Sequence, residues 1–500
     1  MIVNTVSLSE LLVDIVAPQP LEQLEAVKPL RVTGLCLDSR RVNPNDLFVA
    51  IPGADVDGRD YLVQAEASGA SAVLVDSSGA FKIPKELRIP AFYVGDLSSK
   101  VLTIAARFYA QPFSALRVVG VTGTNGKTSC SQLIAQLYTL LDCRCGVLGT
   151  AGWGIGEAIN ESTHTTPDPI GLQAIAAELV ADGAHRLSME VSSHALDQGR
   201  VDGIDFETAV FTNLSRDHLD YHGDMASYAA AKRRLFLGRQ LRNAVINIDD
   251  DEGRKLVGHM AEGVTVLTYS LFDQSADLYV TALNYSSRGV DGVIHYRNED
   301  YRFSSPLLGE FNVSNLLAAA GALLTDGITL AVLVPLFAQL KPARGRLQVV
   351  DDESDISVLV DYAHTPDALE QVLKSLRKHT QASLWVVFGC GGDRDNGKRP
   401  LMAQAACLAD HVVVTSDNPR TESPEEIIEQ VVTGLLDNSD AAVIVDRAAA
   451  IEFAVTNAKP GDCVVVAGKG HETYQDIMGV KHPFSDFDKL ATALQGRSRL

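Results

Sequence analysis

Short runs of consecutive apolar residues, rich in valine and bounded by Gly, Pro or Asp, recur along the chain. Because strands buried on both faces lack polar alternation, such runs predict the strands of parallel sheets. Stretches with helical spacing lie between them, including 102–109 and 129–140. This alternation predicts an α/β fold with sheets covered on both faces. The predicted strands are 47–51, 72–75, 116–121, 187–191, 209–214, 244–248, 357–360, 384–388, 412–415 and 463–467.

The length of the chain sets the number of domains that we expect. Its 500 residues suggest three, at about 150 residues per domain. Breaks in the pattern place these domains at residues 1–100, 101–341 and 342–500. With 46% hydrophobic and 21% charged residues, the chain can bury a substantial core.

Charge and cysteine content exclude several classes of protein. The formal net charge of −20 disfavours general binding to DNA or RNA, because an acidic surface repels a phosphate backbone. The seven cysteines are scattered and form no disulfide framework. The first basic residue is Lys28, and the longest apolar stretch, 315–340, is interrupted by Asp326, Gly327 and Pro335. We therefore expect a cytoplasmic protein without a secretory signal or a membrane span, and with no nucleic-acid partner.

A glycine-rich turn connects the predicted strand 116–121 to the predicted helix 129–140. A turn of this kind directs backbone N–H groups and a helix N-terminus toward an anion. Lys127 can reach the β- and γ-phosphates of a nucleotide, and the Thr128 hydroxyl can ligate Mg²⁺. Position 121 is Val where the common phosphate loop has Gly, so an ordinary strand-to-helix turn is the alternative. The candidate nucleotide-binding residues are Gly123, Thr124, Asn125, Gly126, Lys127 and Thr128.

This loop resembles the variant phosphate loop of the Mur ligase family, which includes folylpolyglutamate synthetase. The resemblance implies an ATP-dependent amide ligase with three domains. These would be an N-terminal UDP-binding α/β domain, a central P-loop ATPase-like domain on a parallel sheet, and a C-terminal Rossmann-like domain that binds an amino acid. It also implies that ATP is a substrate and Mg²⁺ a cofactor, and we expect a monomer.

Further segments resemble family members that extend the peptide of UDP-N-acetylmuramoyl-L-alanyl-D-glutamate. Hydroxyl groups would supply neutral hydrogen bonds and Arg200 a charged fork, although each such residue alone could equally cap or solvate a loop. His164 stands where the family often has Asn. The resemblance implies that the UDP-sugar peptide is bound by Leu37, Ser39, Ala54, Asp55, Val56, Thr165, Thr166, Ser192, Gln198 and Arg200.

The resemblance also implies a metal site. Glu190 ends a predicted strand, at the edge of an α/β sheet where ligands bind, so its carboxylate could hold Mg²⁺ together with Thr128. His218 matches a second metal-site segment, although a lone histidine is more often structural. Lys232, if carbamylated, would be a further ligand.

Lys232 lies in a helical stretch and matches the lysine that the family carbamylates with CO₂. The alternative from the sequence alone is a solvated helix lysine. Carbamylation needs the neutral amine, which burial or the neighbouring Arg233 and Arg234 would favour by lowering the pKa. By resemblance, the catalytic residues are Lys127, His218 and Lys232.

Two asparagines lie near the start of the Ala- and Leu-rich helical stretch after Gly309. A single amide both donates and accepts, so Asn312 or Asn315 could bind adenine, although helix capping explains either one as well. Arg346 and Asp361 resemble segments that close over the phosphates and ribose of ATP.

The C-terminal region carries a tetrapeptide, 417–420, that resembles the signature of ligases specific for meso-diaminopimelate. This amino acid differs from lysine by a second carboxylate. Arg394 and Arg420 could each pair with a carboxylate, while Glu472 and the Gly468 carbonyl could hold the distal ammonium. The alternative is a turn with a solvated arginine. The candidate residues are Arg394, Asp417, Asn418, Pro419, Arg420, Gly468 and Glu472.

Together these features predict a ligase that adds meso-diaminopimelate to the UDP-N-acetylmuramoyl dipeptide through an acyl phosphate, in peptidoglycan precursor synthesis. Two other functions are open. A folylpolyglutamate synthetase would use the same chemistry on another acceptor, but the uridine-type segment at 38–40 disfavours it. A P-loop regulator without ligase activity would leave the 417–420 segment unexplained.

Overall fold

A computed structural model describes residues 5–16, 30–53, 56–162, 164–238, 240–351, 354–436 and 441–497. Within these ranges, three larger sheets follow one another along the chain, each with helices packed against it. They correspond to the three α/β units expected from the alternation of strands and helices.

The first unit contains a parallel sheet in the order β3-β4-β5-β6. Helix α3 packs its apolar face against this sheet, and Val101, Ile104 and Phe108 belong to its core. The predicted boundary at 100/101 therefore falls inside a helix that packs with the first unit. The elements are β1 (Val6–Ser7), α1 (Leu8–Leu11), β2 (Arg31–Val32), β3 (Gly34–Cys36), β4 (Asp46–Ala50), α2 (Leu62–Ala67), β5 (Ala72–Asp76), β6 (Ala91–Val94) and α3 (Leu97–Phe108).

The second unit is a single sheet in the order β10-β9-β8-β11-β7-β12-β13-β14-β15-β16-β17. Its elements are β7 (Arg117–Thr122), α4 (Lys127–Leu140), β8 (Cys145–Gly149), β9 (Gly152–Ile155), β10 (Ala158–Asn160), α5 (Pro169–Ala181), β11 (Arg186–Glu190), α6 (Ser193–Asp197), β12 (Phe206–Phe211), α7 (Leu219–His222), α8 (Met225–Arg233), β13 (Asn243–Asn247), α9 (Asp251–Val257), β14 (Thr265–Ser270), β15 (Leu278–Ser286), β16 (Gly289–Tyr296), β17 (Glu299–Ser305), α10 (Glu310–Thr325) and α11 (Leu330–Leu333).

The middle of this sheet, from β8 to β15 through β11 and β7, is parallel, as the valine-rich runs predict. Both ends are antiparallel, with β9 and β10 at one edge and β16 and β17 at the other. The predicted parallel sheet is therefore confirmed, and antiparallel strands that the sequence did not predict extend it at both edges. Strand β15 alternates between more and less buried positions along its second half, because one of its faces is solvated there.

The third unit has a sheet in the order β18-β19-β23-β20-β21-β22, parallel except for β18. In the described residues no helix is both long and apolar enough to span a membrane. The elements are β18 (Gln348–Asp351), β19 (Ser357–Asp361), α12 (Pro366–Arg377), β20 (Leu384–Phe388), α13 (Lys398–Ala406), β21 (His411–Val414), α14 (Pro424–Val432), β22 (Ala441–Val443), α15 (Arg447–Asn457), β23 (Cys463–Ala467), β24 (Tyr474–Ile477), β25 (Val480–Pro483) and α16 (Asp486–Arg497).

Candidate active site

The predicted phosphate loop connects β7 to α4. Gly126 caps α4 with φ +85°, a left-handed conformation that glycine adopts without a steric cost. A Cβ atom at this position would lie 2.5 Å from Asn315 Oδ1 on α10, so the space also requires glycine. The loop is therefore fitted closely between its own helix and α10.

A second segment, directly after β12, fixes the backbone of this loop. The Asn213 carbonyl accepts from Thr124 N at 2.9 Å, and Asn213 Oδ1 accepts from Asn125 N at 2.9 Å. The Thr212 hydroxyl donates to the Asn125 carbonyl at 2.6 Å. Asn213 is not among the predicted site residues, because the predicted strand 209–214 includes it, whereas the observed strand ends at Phe211.

Two lysines converge inside the loop. Lys127 Nζ donates to the carbonyl oxygens of Gly123 and Thr124 at 2.9 and 2.8 Å, and Lys232 Nζ donates to Gly123 O at 2.7 Å. Burial lowers the pKa of Lys127 and, with the charge of Lys127 nearby, lowers the pKa of Lys232 well below its usual value. The loop thus brings two lysine amines to one carbonyl oxygen, and the pKa of Lys232 is the more strongly lowered of the two.

Lys232 is buried at 2% exposure, which excludes the alternative of a solvated helix lysine. The expected help from its neighbours is wrong, because both arginines point elsewhere. Arg233 pairs with Glu252 at 2.6 Å, and Arg234 donates to the Asp197 carbonyl at 3.1 Å. The cation that acts on Lys232 is Lys127.

His218 lies in a group of rings beside the two lysines. Its ring centroid is 4.9 Å from that of His194 and 6.1 Å from that of Tyr228, and its own φ is +53°. Burial lowers the pKa of His218, and Lys127 and Lys232 lower it further against the opposing effect of Asp217. His218 is therefore close to the phosphate loop, where the sequence predicted it, but within a cluster of rings.

Four of the predicted substrate residues are linked by hydrogen bonds around the end of β11. The Thr166 hydroxyl donates to the Glu190 carbonyl at 2.9 Å and accepts from Ser192 N at 3.1 Å. Arg200 donates to the Thr166 carbonyl at 3.0 Å and, through Nε and Nη2, to Gln198 Oε1 at 2.8 and 2.6 Å. The structure therefore brings these predicted residues together at the carboxyl edge of the central sheet.

Glu190 is 1% exposed and has a defined orientation. Its Oε1 accepts from Thr150 N at 2.8 Å and its Oε2 from the Thr150 hydroxyl at 3.1 Å. That hydroxyl also lies 2.8 Å from the hydroxyl of Thr165. Thr150 thus connects Glu190 to Thr165, another of the predicted substrate residues.

The site offers part of the ligand set that a small divalent cation such as Mg²⁺ needs. The Thr128 hydroxyl and the Glu190 carboxylate are the oxygen ligands that Mg²⁺ prefers, and nucleotide phosphates and water would supply the rest. Over the described ranges, no group of three or more His, Cys, Asp or Glu side chains could hold a metal ion by itself. His218 and carbamylated Lys232 stay predictions as ligands.

The two asparagines on α10 contact each other. Asn315 Nδ2 donates to Asn312 Oδ1 at 3.0 Å, and Asn312 Nδ2 donates to the Leu308 carbonyl at 2.7 Å. Asn315 Oδ1 accepts from the Cys130 thiol at 3.3 Å. They are 2% and 6% exposed, and Asn315 lies over the loop at Gly126, so contact of either residue with adenine stays a prediction.

The third unit reaches the phosphate loop through its first residues. Arg346 Nη2 lies 3.5 Å from the Thr128 hydroxyl, and Asp367 Oδ2 accepts from Asn125 Nδ2 at 3.3 Å. Asp361 is 4% exposed, and its two oxygens accept from Leu347 N and Ala363 N at 2.8 and 2.7 Å. These bonds give Asp361 a role in holding the chain after Arg346, and its contact with ribose stays a prediction.

The predicted uridine residues lie after β3 and β4. Ser39 is buried and donates to Gln64 Oε1 at 3.2 Å. Leu37 is partly buried against the first core, and Val56 is 55% exposed. Ala54 and Asp55 lie outside the described residues.

The predicted amino-acid residues meet at the carboxyl edge of the third sheet, on the loops after β20, β21 and β23. Arg420 Nη1 donates to the Gly392 carbonyl at 2.5 Å, and Asn418 Nδ2 donates to Glu472 Oε2 at 2.9 Å. Gly468, with φ +117°, packs against Asp417, where a Cβ would lie 2.7 Å from Oδ2. Pro419 is buried between these residues, and Arg394 is exposed on the loop after β20.

Three buried cations that sequence analysis missed support these loops. Arg399 pairs with Glu422 at 2.8 Å, and Arg447 donates to Asp486 and to the Ala467 carbonyl at 2.7 and 2.9 Å. Lys469 contacts Asn418 and Glu472. Apart from Glu472, which lies three residues after Lys469, these partners are distant in the sequence, so the pattern around the three cations gave little signal.

Three family models match the chain: the Mur ligase family catalytic domain over residues 31–133, the Mur ligase middle domain over 121–323, and the Mur ligase glutamate ligase domain over 345–470. The chain belongs to the Mur ligase family, a class of ligases with the fold and the phosphate loop described above.

The chain is 48% identical over 480 residues to the UDP-N-acetylmuramoyl-L-alanyl-D-glutamate–2,6-diaminopimelate ligase of Pseudomonas aeruginosa, covering 95% of this chain and 98% of the relative. It is 44% identical to the ligase of that name from Coxiella burnetii, covering 93% and 96%. A solved structure of a ligase of this name has 40% identity and a TM-score of 0.69, covering 99% of both chains. Folylpolyglutamate synthase of Mycobacterium tuberculosis shares the fold at 18% identity, with a TM-score of 0.61 over 74% of this chain and 92% of that one.

Proposed function

We propose that this chain is an ATP-dependent ligase that adds meso-diaminopimelate to UDP-N-acetylmuramoyl-L-alanyl-D-glutamate in peptidoglycan precursor synthesis. The observation that carries the proposal is the register of two strands. Glu190 on β11 pairs with Val121 on β7, so the network around Thr166 and Arg200 lies beside the phosphate loop. A substrate carboxylate held by that network would be adjacent to the phosphates of ATP, as acyl phosphate formation needs.

The reaction needs no nucleophile from the protein. The D-glutamyl carboxylate attacks the γ-phosphorus of ATP, which gives an acyl phosphate and ADP. The amine of diaminopimelate then attacks the acyl carbon, and phosphate leaves from the tetrahedral intermediate. Lys127 orients the phosphates and offsets their charge, which is the main contribution that a protein makes to phosphoryl transfer.

Mg²⁺, held by Thr128 and Glu190, would neutralise phosphate charge when bound. We include carbamylated Lys232 and His218 in the proposal as further residues of this site. The buried Lys232 amine supports the modification, because only a neutral amine reacts with CO₂.

Specificity for meso-diaminopimelate is supported by the third sheet and by the relatives. Arg420 and Arg394 would pair with its carboxylates, and Glu472 would hold its distal ammonium. The diaminopimelate ligases of Pseudomonas aeruginosa and Coxiella burnetii are related to this chain over nearly their whole length. The first sheet, with Ser39, would bind uridine, and the enzyme would act in the cytoplasm as a monomer.

One assay tests the proposal. Purified protein receives ATP, Mg²⁺ and the UDP-muramoyl dipeptide, with meso-diaminopimelate, lysine or no amino acid, and phosphate release is measured. Release that requires meso-diaminopimelate is the expected result. Release with lysine but not diaminopimelate would refute the role of Arg394 and Arg420, and no release with either would favour a nucleotide-binding regulator.

A further inference from the structure

Lys469 is a fully buried lysine on the turn after β23, with a side chain that is 0% exposed. Its Nζ donates to Asn418 Oδ1 at 2.9 Å and to Glu472 Oε2 at 2.8 Å. We propose that Lys469 is a positioning residue that orients Asn418 and Glu472 to bind an ammonium group of the incoming amino acid. This inference rests on the proposed function.

The Asn418 side chain has a fixed orientation. Asn418 Oδ1 accepts from Lys469 Nζ and also from Asp476 N at 2.9 Å. Two donors on one side of the amide establish which atom is the oxygen. The NH₂ group therefore points to Glu472, where Nδ2 donates to Oε2 at 2.9 Å.

The two carboxylate oxygens of Glu472 have different partners. Oε2 accepts from both Lys469 and Asn418, whereas no described residue donates to Oε1. The Glu472 side chain is 21% exposed, so a ligand can reach it. The carboxylate thus presents one oxygen for a donor from outside the protein, and an ammonium is a strong donor for a carboxylate.

The charges of Lys469 and Glu472 offset each other. An enclosed ammonium needs a carboxylate partner, and Glu472 is the one that Lys469 contacts. Lys469 offsets part of the negative charge that would attract an ammonium ligand. Its benefit is therefore geometric, since it holds the carboxylate and the amide in one arrangement before the ligand arrives.

A diamino acid would benefit from this arrangement more than an amino acid without a second ammonium. The glycines on either side make the turn possible, because Gly468 and Gly470 have φ of +117° and +54°. They turn the Lys469 side chain inward, below the loop that carries Asn418.

The test compares Lys469→Met with the wild-type enzyme in the complete ligase reaction. We expect KM for meso-diaminopimelate to rise about 10- to 100-fold, the effect of losing hydrogen bonds to charged groups. KM for ATP and for the UDP-muramoyl dipeptide should stay within about twofold, because Lys469 Nζ donates to Asn418 and Glu472, which belong to neither predicted site. With 2-aminopimelate, which lacks the distal ammonium, the same substitution should have little effect.

Val455→Ala is the matched structural control, since Val455 is buried in the same unit on α15 and lies in a core cluster separate from these loops. It should lower the unfolding temperature without changing any KM. Glu472→Gln combined with Lys469→Met should cost little more than Glu472→Gln alone.

An equal rise in all three KM values, an equal penalty with 2-aminopimelate, or an unchanged KM for diaminopimelate would overturn the inference. A wild-type enzyme that releases no phosphate under these conditions would instead overturn the proposed function.

Discussion

Lys127 and Lys232 donate to the same acceptor, the carbonyl oxygen of Gly123, with Nζ–O distances of 2.9 and 2.7 Å. Two ammonium groups that share one buried carbonyl repel each other, and the more buried one is the easier to neutralise. Lys232 is that residue, because burial and Lys127 both lower its pKa. The two lysines therefore differ in how strongly their pKa is lowered, which suits the proposed roles of Lys127 as a phosphate-binding cation and of Lys232 as a carbamylated amine.

Lys232→Met should abolish most activity and preserve the fold. Burial and Lys127 lower the pKa of Lys232, so the substitution removes a buried amine without a carboxylate partner, and the free energy of unfolding should change by less than about 1 kcal/mol or increase. Phosphate release should fall by about 100-fold or more, because the proposed carbamate on residue 232 can no longer form. Thermal unfolding and phosphate release measure the two effects.

Arg233→Met is the control on the same helix, because Arg233 pairs with Glu252 outside the loop. It should keep most of the activity. A loss of several kcal/mol in Lys232→Met would contradict the arrangement described here.

Intact mass should show one added CO₂ on the active enzyme, and mapping should place it on Lys232. Because the neutral amine is the reactive form, the modified fraction in bicarbonate should rise with pH. Full activity in protein that lacks the added mass would exclude the modification.

Gly126→Ala should destabilise the loop and reduce ATP binding. Its φ of +85° costs an alanine about 1–2 kcal/mol, and the added Cβ would lie 2.5 Å from Asn315 Oδ1. Gly156→Ala is the matched control, with φ +63° and nothing within 4 Å of the added Cβ. Isothermal titration with ATP should show the loss only in Gly126→Ala; equal affinities in both variants would contradict the close fit.

Arg420→Met should raise KM for meso-diaminopimelate by about 100-fold, because a buried carboxylate of the substrate would lose its partner. KM for ATP should not change. Arg377→Met serves as the control, since Arg377 pairs with Asp410, away from these loops. Identical kinetics in the two variants would remove Arg420 from the amino-acid site.

Acid should destabilise the protein through two partly buried histidines. Burial lowers the pKa of His471 and of His194 to about 4, below the usual 6.5. Between these values the unfolded chain binds protons that the folded chain does not, so stability falls as the pH drops from 6.5 toward 4. From pH 7 to pH 5 the loss should be about 1–2 kcal/mol per histidine.

Urea unfolding at several pH values tests this expectation. His471→Gln should have a shallower decline with falling pH than the wild-type protein. Parallel declines in the two proteins would show that His471 does not contribute.

The sequence predicts the central strands well, because β7, β11, β12 and β13 are largely buried on both faces and lie within or overlap mainly apolar runs. It does not predict β15 to β17, where alternation with a period of two gives a weaker signal. The antiparallel strands at this edge of the central sheet are therefore visible only in the structure.

At the candidate site, the local sequence predicted the turn between β7 and α4 correctly. It predicted wrongly that Arg233 and Arg234 act on the Lys232 amine. Successive helix residues point about 100° apart, so Arg233 and Arg234 face away from the side that Lys232 buries. Lys469 shows the other limit, because its partner Asn418 is 51 residues away and its own neighbours are glycines. The burial of the Lys469 side chain depends on which loops the strand order of the sheet brings together.

Cys130 lies behind the phosphate loop on α4, with its thiol donating to Asn315 on α10. Burial raises the pKa of this thiol, so it stays protonated and unreactive while the two helices are packed. A thiol reagent can modify it only when they separate. The labelling rate of Cys130, resolved by mass mapping from the partly exposed Cys143 and Cys407, therefore measures how often the nucleotide loop opens, without any introduced probe.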